Sequence, residues 1–383
     1  MIQRIFRDHY ALYRQEHRLS WRERWAAHNI QTCRTAAQGT HVAACPAGDY
    51  RQVRFNSCKH RSCPICGAAE TEVWVRARQR QALACRYYHI VFTVSDRLHD
   101  LWRYNRRAFT NLLCEAGWHT LKELLADAQW LGGLPGAIGA FQSWGETLNV
   151  HAHAHFLVTA GGLDPQGRWR GAGQEFFLPA RVLRNKFRGK FLAYLRAAVE
   201  DGRLELPPSC PRQRMLNRFN ELGRQKWNVR IQPPYEHPNG VLKYLAAYFR
   251  RGPISERRIR RYAEGRVRIA YKRPDEHREQ TFELTAPEFL ARVLTHVPPK
   301  GLRMVRAYGL FHHHCRAQLA AARNQLGQPP PSEETRAGDT AAPVIRPTTG
   351  TASGAGCCPK CGRLLLVTLV CYPARDSPQR KVA

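Results

Sequence analysis

Leu148-Asn-Val-His151-Ala-His153-Ala-His155-Phe-Leu-Val-Thr-Ala-Gly-Gly-Leu163 is the stretch on which the reading of this chain turns. Phe156, Leu157 and Val158 carry it as an apolar run into Gly161-Gly162, so it reads as a buried strand ending in a turn. Side chains on a strand alternate faces, which puts His151, His153 and His155 on one side of the sheet. Imidazole is a favoured ligand of divalent transition ions, and two histidines at i and i+2 can grip one ion while leaving its other positions open. The competing account is a strand whose polar face happens to carry histidine. One such residue would favour that account; three in alternation favour a metal site.

The composition names the kind of partner. Lys plus Arg number 60 against 30 Asp plus Glu in 383 residues, a formal net charge of +30, far beyond what solubility needs. A polyanion is the expected ligand. At this length two or three domains are expected, and a hydrophobic fraction of 43% supplies a real core and excludes disorder throughout. No apolar run reaches the ~18 residues of a membrane span, and the N-terminal MIQRIFRDHY lacks the apolar stretch of a signal peptide. The expectation is a cytoplasmic protein without a membrane partner. Thirteen cysteines in such a compartment point to metal ligation rather than disulfides.

Outward from the histidine stretch, the elements read in order. Ile2 to His28 is amphipathic and helical, with Trp21 and Trp25 one turn apart. Cys63-Pro-Ile-Cys66 is a knuckle, and with Cys58 and Cys45 upstream it offers four thiolates for a tetrahedral structural Zn²⁺. Gly48 stands where a second upstream cysteine would be expected, which leaves His60 or His41 as a substitute ligand. Arg51, Arg54, Lys59, His60 and Arg61 are interleaved with these ligands and suit phosphate contacts. A helix is expected from Ala68 to Leu83, and a strand from Tyr87 to Val94 that pairs with the histidine strand. Leu98 to Leu125 reads as helix, and Ile138 to Gln142 as a strand joined to the histidine strand by a hairpin at Gly145 to Val150. The fold class is therefore α+β, an antiparallel sheet covered on one face by helices. Arg181 to Val199 is a basic helix with Phe187, Phe191, Leu192 and Leu195 on its apolar side, and Trp227 to Ile231 a further strand.

GVLKYLAAYFRRG, between Gly240 and Gly252, has helical apolar spacing that brings Tyr244 and Tyr248, at i and i+4, out on one face. Lys243, Arg250 and Arg251 flank them. An ordinary aromatic packing stripe is the bland alternative. Val267 to Tyr271 alternates as a strand, and a helix begins at Thr285 as N-cap with Glu288 three residues on. Gln325 to Gly356, rich in Pro, Gly, Thr and Ala, reads as a disordered linker. Beyond it, Cys358-Pro-Lys-Cys361, with Cys357 and Cys371, offers ligands for a second metal.

Taken together, the N-terminal cysteine cluster, the histidine strand with its Gly-Gly, the YLxxY helix followed by PIS and basic residues, and then HVPPKG and VRAYG resemble the two-tyrosine HUH transposases of rolling-circle insertion sequences. The resemblance runs from the zinc cluster to Tyr308. It implies an HUH-endonuclease-like sheet, with His153-Ala154-His155 as the HUH pair and His151 as the histidine that often precedes it; His151 and His153 are the alternative register. It implies Tyr244 and Tyr248 as paired nucleophiles, Mg²⁺ or Mn²⁺ at the histidines, and a 5′-phosphotyrosine link formed on single-stranded transposon ends and passed to target DNA. A third metal ligand is usual in such sites, and Glu146 is the first candidate, Gln142 the second, with water otherwise completing the shell. The implied organisation is a helical and zinc-binding region over 1–84, a nuclease and strand-transferase region with DNA-binding additions over 85–324, the linker over 325–356 and a cysteine-containing tail over 357–383. A plasmid-type replication initiator or relaxase shares the chemistry, and a non-catalytic zinc-containing DNA-binding regulator would share only the charge. The cysteine cluster and HVPPKG lean toward the transposase, and single-strand nicking separates the regulator.

Overall fold

The histidine stretch forms β5 (Val150–Leu163), at the middle of a six-stranded antiparallel sheet in the computed structural model of the chain. The structure describes residues 1–173, 178–236, 242, 246, 252–272, 278–328 and 357–371, apart from the side chains of 68–70 and 368. Two compact units account for the chain: 74–249 with 298–340, and 1–73 with 250–297 and 341–383.

In the first of these units, β5 has β4 (Leu134–Trp144) on one side and β3 (Tyr87–Thr93) on the other. Beyond them lie β11 (Val305–Gly309) outside β4 and β7 (Val229–Ile231) outside β3, while the short β6 (Trp169–Gly171) pairs with the end of β5. The expected pairing of the Tyr87 strand with the histidine strand is present, with Val91 opposite His155 and Thr93 opposite His153. The expected hairpin is present too, closed by Gly145 N–H to Asn149 O at 3.1 Å and by Leu148 in a left-handed conformation. Alternation sorts the side chains. Ala152, Ala154, Phe156, Val158 and Ala160 face a core shared with α5 (Arg106–Ala126), α6 (Ala180–Glu200) and α7 (Arg212–Arg224). Phe156 is fully buried, and its removal to Ala would cost about 3–5 kcal/mol. The ring reaches α5 because Gly117 has no side chain: a Cβ there would stand 2.6 Å from Phe156 Cε2. Phe187 and Phe191 of α6 complete the stack, with Phe187 4.4 Å from Phe92 and Phe191 5.3 Å from Phe109 between ring centroids.

The sequence places a turn at Gly161-Gly162, but β5 runs through both to Leu163. Each is hemmed in by neighbouring strands: a Cβ on Gly162 would lie 2.4 Å from Leu134 O, and one on Gly161 2.3 Å from the Trp169 ring. Glycine here marks close packing between β4, β5 and β6 rather than reversal of the chain. The reversal comes afterwards at Asp164, whose carboxylate is almost wholly enclosed and accepts from the backbone N–H groups of Gln166 and Arg168 and from the Arg168 and Arg170 guanidinium groups.

In the other unit, α1 (Ile2–Glu16) and α2 (Trp21–Thr32) replace the single helix expected over Ile2 to His28. The break has a local cause. Ser20 and Glu23 form a capping box, the Ser20 hydroxyl accepting from Glu23 N–H and the Glu23 carboxylate from Ser20 N–H, which starts a new helix after His17. The segment 250–297 packs with these helices. It forms the antiparallel sheet β8 (Ile259–Ala263), β9 (Arg266–Lys272), β10 (Glu279–Thr285) and the helix α8 (Ala286–Thr295), whose Phe289 meets Phe6 edge-on at 6.5 Å. The Thr285–Glu288 capping box is formed as its sequence indicates. A third sheet joins β1 (Thr40–Ala44), β2 (Arg51–Phe55) and β12 (Leu366–Cys371). Of the expected linker, 329–356 lies outside the described residues.

Hydrogen bonds from Arg168 N–H first, and then from the Arg170 and Arg168 guanidinium groups, bring the Asp164 carboxyl down to about 2. A carboxylate depressed in the folded state stabilises the fold above its unfolded value of about 4, and that contribution disappears as pH falls toward about 2. Asp164→Asn is therefore expected to melt at lower temperature than the parent at pH 7, with the gap narrowing as pH falls from 4 toward 3. Thermal melts followed by circular dichroism at several pH values check this; a gap that widens in acid contradicts it.

Candidate functional site

The face of the sheet opposite the α5–α6 core carries the histidines. His151, His153 and His155 share it, as the alternation requires, with His89 of β3 and with Ala140 and Gln142 of β4 directly across from His155 and His153. The ring centroids of His151 and His153 are 4.9 Å apart, and those of His153 and His155 4.7 Å. Burial dominates their protonation: it brings His153 down to about 3 and His89 to about 4, and holds His155 well below and His151 below the ordinary histidine value. Burial thus favours the neutral imidazole at His89, His153 and His155, the form that metal ligation demands.

The tautomer of His153 follows from its neighbour. His153 Nδ1 stands 2.6 Å from its own strand's His151 carbonyl, which can only accept, so Nδ1 carries the proton and Nε2 the lone pair. A backbone carbonyl fixing the far nitrogen is the usual support of a ligating imidazole. His89 Nε2 lies 2.9 Å from His155 Nδ1. Gln142, 6% exposed, donates through Nε2 to Trp144 O, and its Oε1 is buried with no partner among the described residues. A buried amide oxygen left unpaired is costly, and a cation beside it would remove that cost. The donor set of imidazole nitrogens and an amide oxygen fits a divalent ion with open positions. Glu146 sits exposed in the β4–β5 turn, and among the described residues no three His, Cys, Asp or Glu ligand atoms on this face, the histidines included, lie within 4.8 Å of one another.

Leu242 and Ala246, one helical turn apart, bury on this same sheet face against Ile138, Ala140, Leu157 and Tyr87. Tyr244, Tyr248, Lys243, Arg250 and Arg251 lie outside the described residues.

The cysteines group differently from their order in the sequence. Cys58, Cys63 and Cys66 come together with Cys33, the four sulfurs within 4.8 Å of one another and Cys58 3.6 Å from Cys66. The edge of a tetrahedron with Zn–S near 2.3 Å is about 3.8 Å. Hydrogen bonds from Cys58, Cys63 and Cys66 hold the Cys33 thiol far below its ordinary value, as a shared thiolate would be. Cys45 is elsewhere, beside Asp49, Cys358 and Cys361. Neither histidine considered as a substitute ligand joins these groups: His60 Nδ1 accepts from Ser62 N–H at 3.2 Å, and His41 Nδ1 donates to Asn56 Oδ1 at 2.9 Å. Lys59 and Arg61 are exposed on the loop that carries Cys58 and Cys63, with Lys59 in a left-handed conformation; Arg54, on β2, donates to Gln52 Oε1.

Residues 136–318 match a family described as "Putative transposase", and residues 5–94 match the transposase zinc-binding domain of IS91 elements. A protein named "Putative transposase y4qJ", from Sinorhizobium fredii, is 33% identical over 98% of this chain and 96% of its own length. The chain belongs to the IS91-type transposases. The transposase for insertion sequence element IS801 of Pseudomonas savastanoi pv. phaseolicola is 30% identical over 73% of this transposase and 68% of its own length. No solved structure matches it. DNA is thus the polyanion that its charge anticipates, and the N-terminal region is a zinc-binding domain. Among the described residues no helix is long and apolar enough to cross a membrane.

Sequence reasoning passed over Cys33, His89 and Asp49. Cys33 is 25 residues from the next member of its group and carries no spacing signal, whereas His89, a lone polar residue in the apolar run YYHIVFT, could have been noticed. If Cys33 completes the first quartet, Cys33→Ser should release zinc as fully as Cys63→Ser, and His60→Ala should leave it bound. Metal content of the purified full-length variants by mass spectrometry distinguishes these outcomes.

Proposed function

We propose that this transposase nicks and rejoins single-stranded transposon ends through a 5′-phosphotyrosine intermediate, as in rolling-circle transposition, with Tyr244 and Tyr248 as nucleophiles and His153 and His155 as metal ligands. The observation that carries the reading is the shared sheet face: the neutral histidines of β5 and the buried Leu242 and Ala246, which bracket Tyr244 in sequence, lie on the same side of the sheet. Gln142, opposite His153 with an unpartnered buried oxygen, is better suited as the third donor than Glu146 in its exposed turn. Mg²⁺ or Mn²⁺ held there would supply Lewis-acid polarisation of a non-bridging oxygen on the scissile phosphate. His153 and His155 orient the site, and His151 stands at its exposed edge.

The covalent steps belong to the tyrosines. A phenolic oxygen attacks phosphorus and loses its proton, the P–O3′ bond breaks, and the 3′-oxygen leaves as a hydroxyl after protonation. Phenol is a weak nucleophile at its free pKa near ~10, so nearby cations are needed as charge develops, and Lys243, Arg250 and Arg251 are the sequence neighbours that can serve. The phosphotyrosine ester keeps the bond's free energy. A 3′-hydroxyl of another strand can therefore displace the tyrosine and rejoin DNA without a nucleotide cofactor, and two tyrosines allow two links to alternate. Arg54, Lys59 and Arg61 of the zinc-binding region serve backbone contacts in this scheme, and the chain works in the cytoplasm on the nucleoid.

Two sets of variants test the scheme on labelled single-stranded ends. His153→Ala with His155→Ala should lower metal-dependent cleavage on the order of 10³-fold or more while zinc content stays unchanged. Tyr244→Phe and Tyr248→Phe each leave partial cleavage, and the double variant forms no covalent DNA–protein band. A band that persists in the double variant would place the nucleophile elsewhere. Cleavage of duplex ends as fast as single-stranded ones would remove the strand preference from the proposal, and binding should weaken steeply with salt as phosphate counterions are displaced.

A further inference from the structure

Two tight turns, 313 residues apart in the chain from Cys45 to Cys358, face each other with their ligating atoms converged. The first is Cys45-Pro-Ala-Gly48-Asp49, at the tip of the β1–β2 hairpin, closed by Cys45 N–H to Tyr50 O at 2.8 Å and Gly48 N–H to Cys45 O at 2.9 Å, with Gly48 left-handed. The second is Cys358-Pro-Lys-Cys361-Gly362, closed by Cys358 N–H to Arg363 O at 2.7 Å and Gly362 N–H to Cys358 O at 2.9 Å, with Gly362 left-handed. The two are built alike. Each presents a cysteine at its first position and a second potential ligand three or four residues on, Cys361 in one and Asp49 in the other.

Cys45 Sγ lies 3.4 Å from Cys361 Sγ, and Cys358 Sγ 3.6 Å from Asp49 Oδ1, with all four atoms within 4.8 Å of one another. These separations are close to the tetrahedron edge of about 3.8 Å set by zinc–sulfur bonds near 2.3 Å. Cys45 and Cys358 are buried, while Asp49 and Cys361 stand at the surface. Four groups that would each be anionic as ligands repel when brought this close, and a divalent cation turns that repulsion into attraction.

The surrounding sheet needs such help. Its own core is Ala43, Cys45, Cys358 and Leu365 with Tyr50 against them, so two of the four buried residues are the cysteines themselves. Val53, Phe55, Leu366 and Leu369 are half exposed or more. A sheet of three short strands with so little buried apolar surface is marginal without a metal or a disulfide. β12 nevertheless pairs with β1 from Thr40 opposite Cys371 to Ala44 opposite Leu366, the end next to the cluster.

We infer that Cys45, Asp49, Cys358 and Cys361 form a second structural zinc centre, separate from the Cys33 quartet, that fastens the C-terminal strand onto the N-terminal hairpin. Asp49 supplies the fourth ligand that Gly48 cannot. The sulfurs first considered with the C-terminal knuckle are excluded by position. Cys357 is exposed and bridges only to Leu364, and Cys371 pairs with Thr40, about 17 Å along the strand from the cluster end at roughly 3.3 Å per residue.

Metal content of the full-length protein, purified under reducing conditions, tests this. The parent should hold two zinc ions per chain. Cys358→Ser with Cys361→Ser should hold one, as should Cys45→Ser, whereas Cys371→Ser keeps two. Cys63→Ser with Cys66→Ser loses the other ion and leaves this one. Asp49→Cys provides a gain of signal that does not depend on a weakened fold: in the cobalt-substituted protein the thiolate-to-metal charge-transfer band should grow as three thiolates become four, at unchanged stoichiometry. A parent with a single zinc, retention of both ions after loss of Cys358 and Cys361, or an oxidised Cys45–Cys361 pair would overturn the centre. An unchanged cobalt band in Asp49→Cys would remove Asp49 from it.

Discussion

Packing of the even-numbered side chains of β5 against α5 and α6 is the constraint on which the larger sheet depends. Ala152, Ala154, Phe156 and Val158 are wholly buried, and because side chains alternate, burying them forces His151, His153 and His155 to the opposite face. A slip of one residue in the β3–β5–β4 register would turn the histidines into the α5–α6 core and carry Phe156 out of it. The register is held by packing that tolerates little change, since Phe156 contacts Phe92 and Tyr308 and occupies the space left by Gly117 and Gly139. The histidines are thus placed by residues that have no chemistry of their own.

The same burial sets the electrostatics of that face. In a chain with a net charge of +30, cationic imidazoles beside one another would repel both each other and a metal ion. Desolvation keeps them neutral, the His151 carbonyl fixes the tautomer of His153, and the second imidazole of the pair contacts His89 on the neighbouring strand. Positive charge is left to the surface, where it meets DNA, and the interior holds nitrogen lone pairs.

The zinc-binding unit solves a different problem. The β8–β10 sheet buries Val267 and Ile269 with Phe6 and Phe289, but the β1–β2–β12 sheet leaves several apolar side chains at the surface, and there the grouping of cysteines supplies what a larger hydrophobic core gives elsewhere. Groupings of that kind bring together residues far apart in sequence: Cys33 with Cys63, and Cys45 with Cys361.

Local rules made much of this molecule legible from its residues. The alternation of β5, the β3 partner strand, the hairpin at Gly145, the amphipathic helix over Arg181 to Val199 and the Thr285–Glu288 cap each depend on neighbours within a few positions, and each is formed. Where two local signals competed, sequence alone chose badly. An amphipathic pattern over Ile2 to His28 concealed the Ser20–Glu23 box that divides it, and Gly161-Gly162 suggested a turn where close strands required the absence of a Cβ. Which sulfur joins which quartet, that 250–297 packs with the first helices, that Gln142 rather than the first-named Glu146 lies opposite His153, and that His89 stands beside the histidines were decided by tertiary structure. Those outcomes depend on distances across the fold, and a linear spacing rule carries no information about which distant segments are brought together when a core is buried.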